Sequence, residues 1–414
     1  METGFSPFLQ LALELSIILL AAKSAGYLST RLGQPSVLGE LLVGILLGPS
    51  LIDILHLPFI SDSHLLETTI HELGELGVLL LMFIAGLDLH LSELTRNTKV
   101  SAFAGTLGVV FPVGLGWATA ALFGFDLQAA LFLGLALGAT SVSISAQTLM
   151  ELKVLKSRVG LGLLGAAVFD DILIILFLSG FLAVADGSSS VGGFLLILGR
   201  MVAFLGLSVA FGMWVLPRLS RLTSRLHISQ GVLTLAIVIM LLYSVAAELL
   251  GGMAAITGAF LAGLMFARSH EKERIEAGMA PVAYSLFVPI FFVSIGLSVN
   301  VRDLELDAIW LTLAIILVAV VSKFLGAGLG ARLGGFKWRE SWQLGAGMVS
   351  RGEVGLIVAN VGMVEGLLTG NAFSAIVGMV LVTTLVTPPF LRLLFREKEP
   401  ADTSAQKTLV RKEK

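Results

Sequence analysis

Asp170 and Asp171 stand side by side inside Val159–Ala185, a run with no other ionisable residue that is long enough to cross a bilayer. A carboxylate at membrane depth costs about 2.5–3.5 kcal/mol on insertion scales, so two in succession call for a charged partner. The chemistry this supports is an ion or proton pathway; the bland alternative is a polar cluster that only holds packing. On a helix the two side chains diverge by about 100°. One can therefore face a cation while the other meets something else. Lys323 lies in a second apolar run, behind Val318-Ala-Val-Val-Ser322 and nine residues before Arg332. A lone buried ammonium is as costly as a lone carboxylate, and an aspartate of the pair is its natural partner.

Two further stretches carry unusual polarity. Gly138-Ala-Thr-Ser-Val-Ser-Ile-Ser-Ala-Gln147 is dense in hydroxyls, and Gly347-Met-Val-Ser-Arg-Gly-Glu-Val-Gly355 places Arg351 and Glu353 at membrane depth. Hydroxyls bonding back to their own helix would explain one such stretch. Two of them at corresponding places predict broken helices, whose unwound carbonyls and helix ends can hold an ion. Arg351 and Glu353 are two residues apart, which suits charge compensation around a break better than an i,i+4 pair. A structural role and a substrate-linked one both remain open for them.

The elements that must position these groups follow from composition. The chain of 414 residues is 56% hydrophobic and 14% charged, far below the roughly 25% charged of a soluble domain, with a mean hydropathy of +0.95. Zero cysteines exclude disulfides, thiolate metal sites and cysteine nucleophiles. Met1–Pro7 has no basic n-region, so the apolar stretch behind it reads as a retained helix. Thirteen apolar stretches can be marked, at about 7–30, 36–52, 74–91, 98–123, 127–150, 157–184, 191–217, 230–249, 253–268, 282–299, 308–331, 340–364 and 372–395. The second and ninth are short and glycine-rich. The polar tail 397–414 reads as disordered and cytoplasmic.

Basic residues orient the spans. With the N-terminus outside, 22 of the 27 Lys and Arg fall on cytoplasmic segments, one (Arg302) outside and four within spans. That is the positive-inside bias, and it predicts an N-out, C-in multi-pass chain. An internal repeat runs through the spans. Val37-Leu-Gly39-Glu-Leu-Leu-Val-Gly44 matches Ile256-Thr-Gly258-Ala-Phe-Leu-Ala-Gly263, Ala85-Gly86-Leu87 matches Ile295-Gly296-Leu297, Gly114-Leu-Gly116 matches Gly326-Ala-Gly328, and Gly138-Ala-Thr-Ser141 matches Gly347-Met-Val-Ser350. These four matches keep their order at offsets of 209 to 219 residues. Seven spans separate equivalents, so the halves are inverted: repeat one at about 7–184, a linker helix at about 191–217 and repeat two at about 230–395.

Other polar groups read as structural. Glu40 either lines an entrance or caps a short helix, and Lys23 and Arg200 snorkel from span ends. Gly326-Ala-Gly-Leu-Gly330 imitates a dinucleotide loop but has no strand before it, so it reads as close helix packing. No nucleophile–base set suggests an enzyme, and no cofactor or nucleic-acid partner is called for.

Gln34-Pro-Ser-Val-Leu-Gly-Glu-Leu-Leu-Val-Gly-Ile-Leu-Leu-Gly-Pro49, Ala139-Thr-Ser-Val-Ser-Ile-Ser145, Phe169-Asp-Asp171, Ser322-Lys-Phe-Leu-Gly326 and Ser350-Arg-Gly-Glu-Val-Gly-Leu356 resemble the bacterial monovalent cation:proton antiporters, in the thirteen-helix, NapA-like sodium/proton branch. The resemblance covers about residues 8–395. It implies an all-α polytopic inner-membrane homodimer with a core of crossed broken helices and a separate dimerisation domain. It also implies that Asp171 is the main sodium-binding carboxylate, that Asp170 pairs with Lys323 when no sodium is bound, and that Thr140 and Ser141 add oxygen ligands. Members with two aspartates typically exchange two protons per sodium ion electrogenically. Several potassium-efflux relatives continue into a cytosolic nucleotide-binding domain, whereas this chain stops some twenty residues after its last helix.

The mechanism expected is competition between sodium and protons for one site exposed alternately to each side, in the service of pH homeostasis. Potassium or lithium can take the same oxygen ligands, so potassium/proton exchange is the nearest alternative. A gated potassium-efflux channel is the alternative from another class. A sodium-coupled symporter would need a roomier pocket than any residue cluster here provides.

Overall fold

A backbone that crosses lipid must satisfy its own polar groups, and apolar runs of this length do so as helices. The computed structural model describes residues 6–57, 60, 63–89, 97–185, 191–225, 229–298, 309–352, 355, 358–359, 362, 367–368 and 370–396, without the side chains of 179–180, 182–185, 191–192 and 194. Its regular elements are all helical: α1 (Pro7–Arg31), α2 (Ser36–Leu47), α3 (Ser63–Leu87), α4 (Thr98–Leu122), α5 (Leu127–Gly138), α6 (Val142–Glu151), α7 (Arg158–Ala185), α8 (Val191–Trp214), α9 (Leu216–Arg225), α10 (Gly231–Gly251), α11 (Ala255–Phe266), α12 (Lys272–Leu297), α13 (Ile309–Leu333), α14 (Trp338–Gly347) and α15 (Gly370–Phe395).

Counting α5 and α6 as one interrupted span, ten of the described helices are long and apolar enough to cross a membrane. The two stretches expected to be short are α2 and α11, of 12 residues each. Two starts differ from the hydropathy reading: α3 begins at Ser63 and α12 at Lys272. Their first turns carry Glu67, His71 and Glu72, or Lys272, Glu273 and Arg274, so each helix extends beyond its apolar run. Where only a loop was expected, α9 is a short amphipathic helix bearing Arg218, Arg221 and Arg225.

Packing sorts the helices into two groups. α4 packs on α13, α5 and α7, and α13 on α14 and α15; α1 packs on α2, α2 and α3 on α12, and α3 and α10 on α11. Glycines matched in the sequence make matching approaches in these contacts. A Cβ on Gly44 would run into the backbone of Val293 and Gly296, and one on Gly263 into the backbone of Phe83 and Leu87. Likewise Gly39 lies on the Ala25 carbonyl of α1 and Gly258 on the Tyr243 carbonyl of α10. Equivalent glycines thus make equivalent backbone-to-backbone approaches, which van der Waals packing between membrane helices requires. Gly326 and Gly330 press on the Leu107 and Phe103 carbonyls of α4, so that motif is indeed a packing face.

Four of the turns meet at one end of the molecule. The Ser36 N–H, at the start of α2, donates to Glu151 at 2.6 Å, Lys156 pairs with Asp88 at 2.9 Å and Arg158 with Glu340 at 3.4 Å. Glu151, not Glu40, therefore caps α2. Glu40 is buried and 3.6 Å from Lys23. Lys23 and Arg200 do more than snorkel. Lys23 donates to Tyr284 O at 2.8 Å, and Arg200 to Leu249 O at 2.7 Å and Leu250 O at 3.1 Å. These carbonyls belong to the π turns Ala283–Phe287 and Ala247–Gly251.

Candidate ion-binding site

The fifth span breaks at Ala139–Ser141, which are extended between α5 and α6. In the twelfth, α14 ends at Gly347 and the chain is unwound through Gly352. The two breaks cross at Ser141 and Ser350, residues equivalent in the repeat. Ser141 N–H donates to Ser350 O at 3.0 Å, and Ser350 Oγ donates to Ser141 O at 2.5 Å. Ser145 Oγ adds a 2.5 Å bond to Gly347 O. The serines of the two stretches are therefore the donors and acceptors that replace helical hydrogen bonds across the crossing.

A broken helix leaves carbonyls and a partial negative charge at its C-terminus. Two buried cations meet them. Lys323, on α13, donates to Gly138 O at 2.8 Å, and Arg351 Nε to Leu137 O at 3.0 Å, both at the end of α5. Arg351 Nη1 also binds Met348 O at 3.2 Å and Val349 O at 2.8 Å, at the end of α14, and Nη2 reaches Ala319 O at 3.4 Å. Two helix ends of about −0.5 charge each roughly balance one guanidinium. Fully buried Arg351 is thus compensated by helix ends. Glu353, its expected companion, lies outside the described residues.

Asp170 is also fully buried, and its Oδ1 is 2.6 Å from Lys323 Nζ. The pair forms because α4 is glycine-lined where it faces α7 and α13. A Cβ on Gly105 would crowd Asp170 N at 3.3 Å, and one on Gly108 would sit 3.8 Å from Lys323 Cε. Thr140 and Arg351 both lie near the Asp170 carboxylate. Yet Asp170 Oδ2 and Thr140 Oγ1 are buried and complete no hydrogen bond. Both oxygens keep unused lone pairs, and oxygen is the ligand type that hard cations take.

Asp171 points elsewhere, as the helical angle requires. It is half-buried and faces a small pocket between α7, α3, α6 and α11, lined by Met82, Val142, Ala167, Ile256 and Phe260 among others. Thr257 Oγ1 donates to its Oδ2 at 3.3 Å. Thr257 escaped the sequence reading, though it is the one polar side chain in Ala255–Phe266, a signal that was available. Of the expected ligands, Thr140 lies with Asp170. Ser141 Oγ is instead 3.0 Å from Ser143 Oγ, and its backbone is held by the crossing. Asp170, Lys323, Thr140 and Arg351 are thus one cluster inside the group α4–α7 and α13–α15, while Asp171 looks out to the seam with α3 and α11.

Comparison with known proteins identifies the family. The family described as "Sodium/hydrogen exchanger, transmembrane" matches residues 17–397. The chain is 42% identical over 388 residues to the Na(+)/H(+)-K(+) antiporter GerN of Bacillus cereus, covering 94% of this chain and 97% of GerN. It is also 42% identical over 383 residues to the probable Na(+)/H(+) antiporter GerT of the same organism, covering 92% and 98%. Its fold superposes on the solved structure of the sodium proton antiporter MjNhaP1 from Methanocaldococcus jannaschii with a TM-score of 0.67 at 18% identity, over 94% of this chain and 98% of the other.

Proposed function

The chain belongs to the sodium/hydrogen exchanger family of membrane transporters, and we propose that it exchanges sodium for protons by alternating access, with Asp171 as the ion-binding carboxylate. The observation that carries this is the division of labour between the aspartates: Asp170 is held by Lys323 at 2.6 Å, whereas Asp171 faces the seam between the two helix groups beside Thr257. A site at a seam is one that a rocking of the groups can open to either side.

Sodium arriving at deprotonated Asp171 draws in Asp170 Oδ2 and Thr140, with Ser141 close to the crossing; Lys323 then gives up Asp170 and stays on the Gly138 carbonyl. Protons from the acidic side displace the ion, and Lys323 returns to Asp170. One proton goes to Asp171 and a second to Lys323, which gives it up when Asp170 turns to sodium and regains it when the pair re-forms; two protons per sodium move one net charge per cycle and couple transport to the membrane potential at about 2.3 kcal/mol per 100 mV. Arg351 holds the two broken helix ends together through the cycle. The remaining architecture we infer is that of a bacterial plasma-membrane homodimer, N-terminus out and C-terminus in, built from two inverted repeats. GerN's name includes potassium, which favours potassium as a second cation.

The test is exchange in proteoliposomes across sodium, potassium and lithium over a pH series, with the potential clamped. Cation addition should move protons the opposite way, and Asp171→Asn should abolish that movement. Cation flux without proton countermovement would make the protein a channel, and robust exchange by Asp171→Asn would remove that residue from the site.

A further inference from the structure

At the end where the basic turns gather, a cavity of 670 Å³ lies between the α1–α2 turn, the α6–α7 turn and the last turns of α15. Arg392 and Arg396 both line it. They are i,i+4 neighbours, so two like charges share one helix face. Three other cations at this end have carboxylates: Lys156 has Asp88, Arg158 has Glu340 and Arg274 has Glu271. Among the described residues, no carboxylate lies within 4.0 Å of Arg392 or Arg396. Arg392 is half-buried and lies against Gly33, where a Cβ would sit 2.9 Å from Nη2. Gly33 has φ +74, and its missing side chain makes room for the guanidinium.

Two more features narrow the ligand. Gln34 lines the same cavity, and its buried Oε1 accepts no hydrogen bond. The rim is apolar: Leu32 is 73% exposed and Leu393 67% exposed, with Phe395 beside them. Paired guanidiniums, an amide acceptor and an apolar rim at one end of a membrane-spanning bundle match an amphiphile with a phosphate, a neighbouring hydroxyl and acyl chains.

We propose that this cavity is a binding site for an anionic phospholipid with a hydroxyl-bearing headgroup, of the phosphatidylglycerol type. The two arginines hold the phosphate, Gln34 accepts from the headgroup hydroxyl, and the acyl chains lie over Leu32 and Leu393. The site is separate from the cation site and stands whichever cation is carried.

The test uses full-length, delipidated protein in detergent, titrated with short-chain phosphatidylglycerol, short-chain phosphatidylcholine or glycerol phosphate and followed by native mass spectrometry. Phosphatidylglycerol should bind at one site per protomer and phosphatidylcholine should not compete. Arg392→Gln/Arg396→Gln should weaken binding about 30-fold, since each basic residue near anionic lipid is worth about fivefold. If that variant does not fold, Arg392→Lys/Arg396→Lys keeps the charge but loses the forked geometry and should still weaken binding severalfold. Equal binding of phosphatidylcholine, unchanged affinity in the variants, or glycerol phosphate binding as tightly as the lipid would each overturn the proposal.

Discussion

Lys323→Ala is the perturbation that best tests the buried cluster. The side chain makes two contacts, 2.6 Å to Asp170 and 2.8 Å to the Gly138 carbonyl, and it is fully buried, as is Asp170. Breaking a buried ion pair from one side costs about 3–5 kcal/mol because the remaining charge is left uncompensated. The loss falls harder here, since Asp170 Oδ2 already has no hydrogen-bond partner. Losing the donor to Gly138 O adds little on top, because Arg351 still serves that helix end through Leu137 O. We therefore expect a loss of about 4 kcal/mol for Lys323→Ala and of similar size for Asp170→Asn.

The double variant removes both charges, and a charge-free pair in an apolar surrounding is far less costly. It should be no less stable than the worse single variant, so the sum of the singles overshoots by at least about 4 kcal/mol. The assay is reversible unfolding of the four proteins in mixed micelles under increasing SDS, read by helical ellipticity. Additivity within about 0.5 kcal/mol would refute the reasoning, because it would mean that the two charges do not depend on each other in the folded protein.

Thr257→Val should weaken apparent sodium affinity about tenfold while leaving maximal exchange intact, since a hydrogen bond to a charged group is worth about 1.5–3 kcal/mol; unchanged KM in proteoliposomes would take Thr257 out of the site. If sodium and protons compete, the apparent KM for sodium should rise about tenfold per pH unit of acidification with one competing proton and about 100-fold with two; a flat profile would end the competition scheme. Glu14 is fully buried on α1 with neither oxygen hydrogen-bonded, so Glu14→Leu should leave stability unchanged or raise it by about 1–3 kcal/mol; a clear loss in the same SDS titration would indicate a partner for the carboxyl. Gly263→Val drives a side chain into the Phe83 backbone and should destabilise by about 1–3 kcal/mol, whereas Gly114→Ala, with open space around it, should not.

Residue type and spacing alone determined a good deal of this molecule. Thirteen apolar stretches, the short second and ninth, and the glycines of the repeat are properties of local hydropathy and of backbones that must approach closely, so they can be read in one dimension. The breaks at Thr140 and Ser350 were legible for a related reason: glycine, hydroxyl and charge inside an apolar run leave a helix with few ways to continue. The separate fates of Asp170 and Asp171 were half legible, since the helical angle forces them apart but does not say what each meets. The starts of α3 and α12 were misjudged because a helix can outrun its apolar face. Only the tertiary structure decided that Arg351 is balanced by the ends of α5 and α14, that Glu151 and not Glu40 caps α2, and that Thr257 reaches Asp171. Each of these is a contact between side chains or carbonyls more than 80 residues apart, or a partial charge that exists only once a helix has ended in a particular place. No local pattern encodes such a partner; the packing of α4, α7, α11 and α13 does.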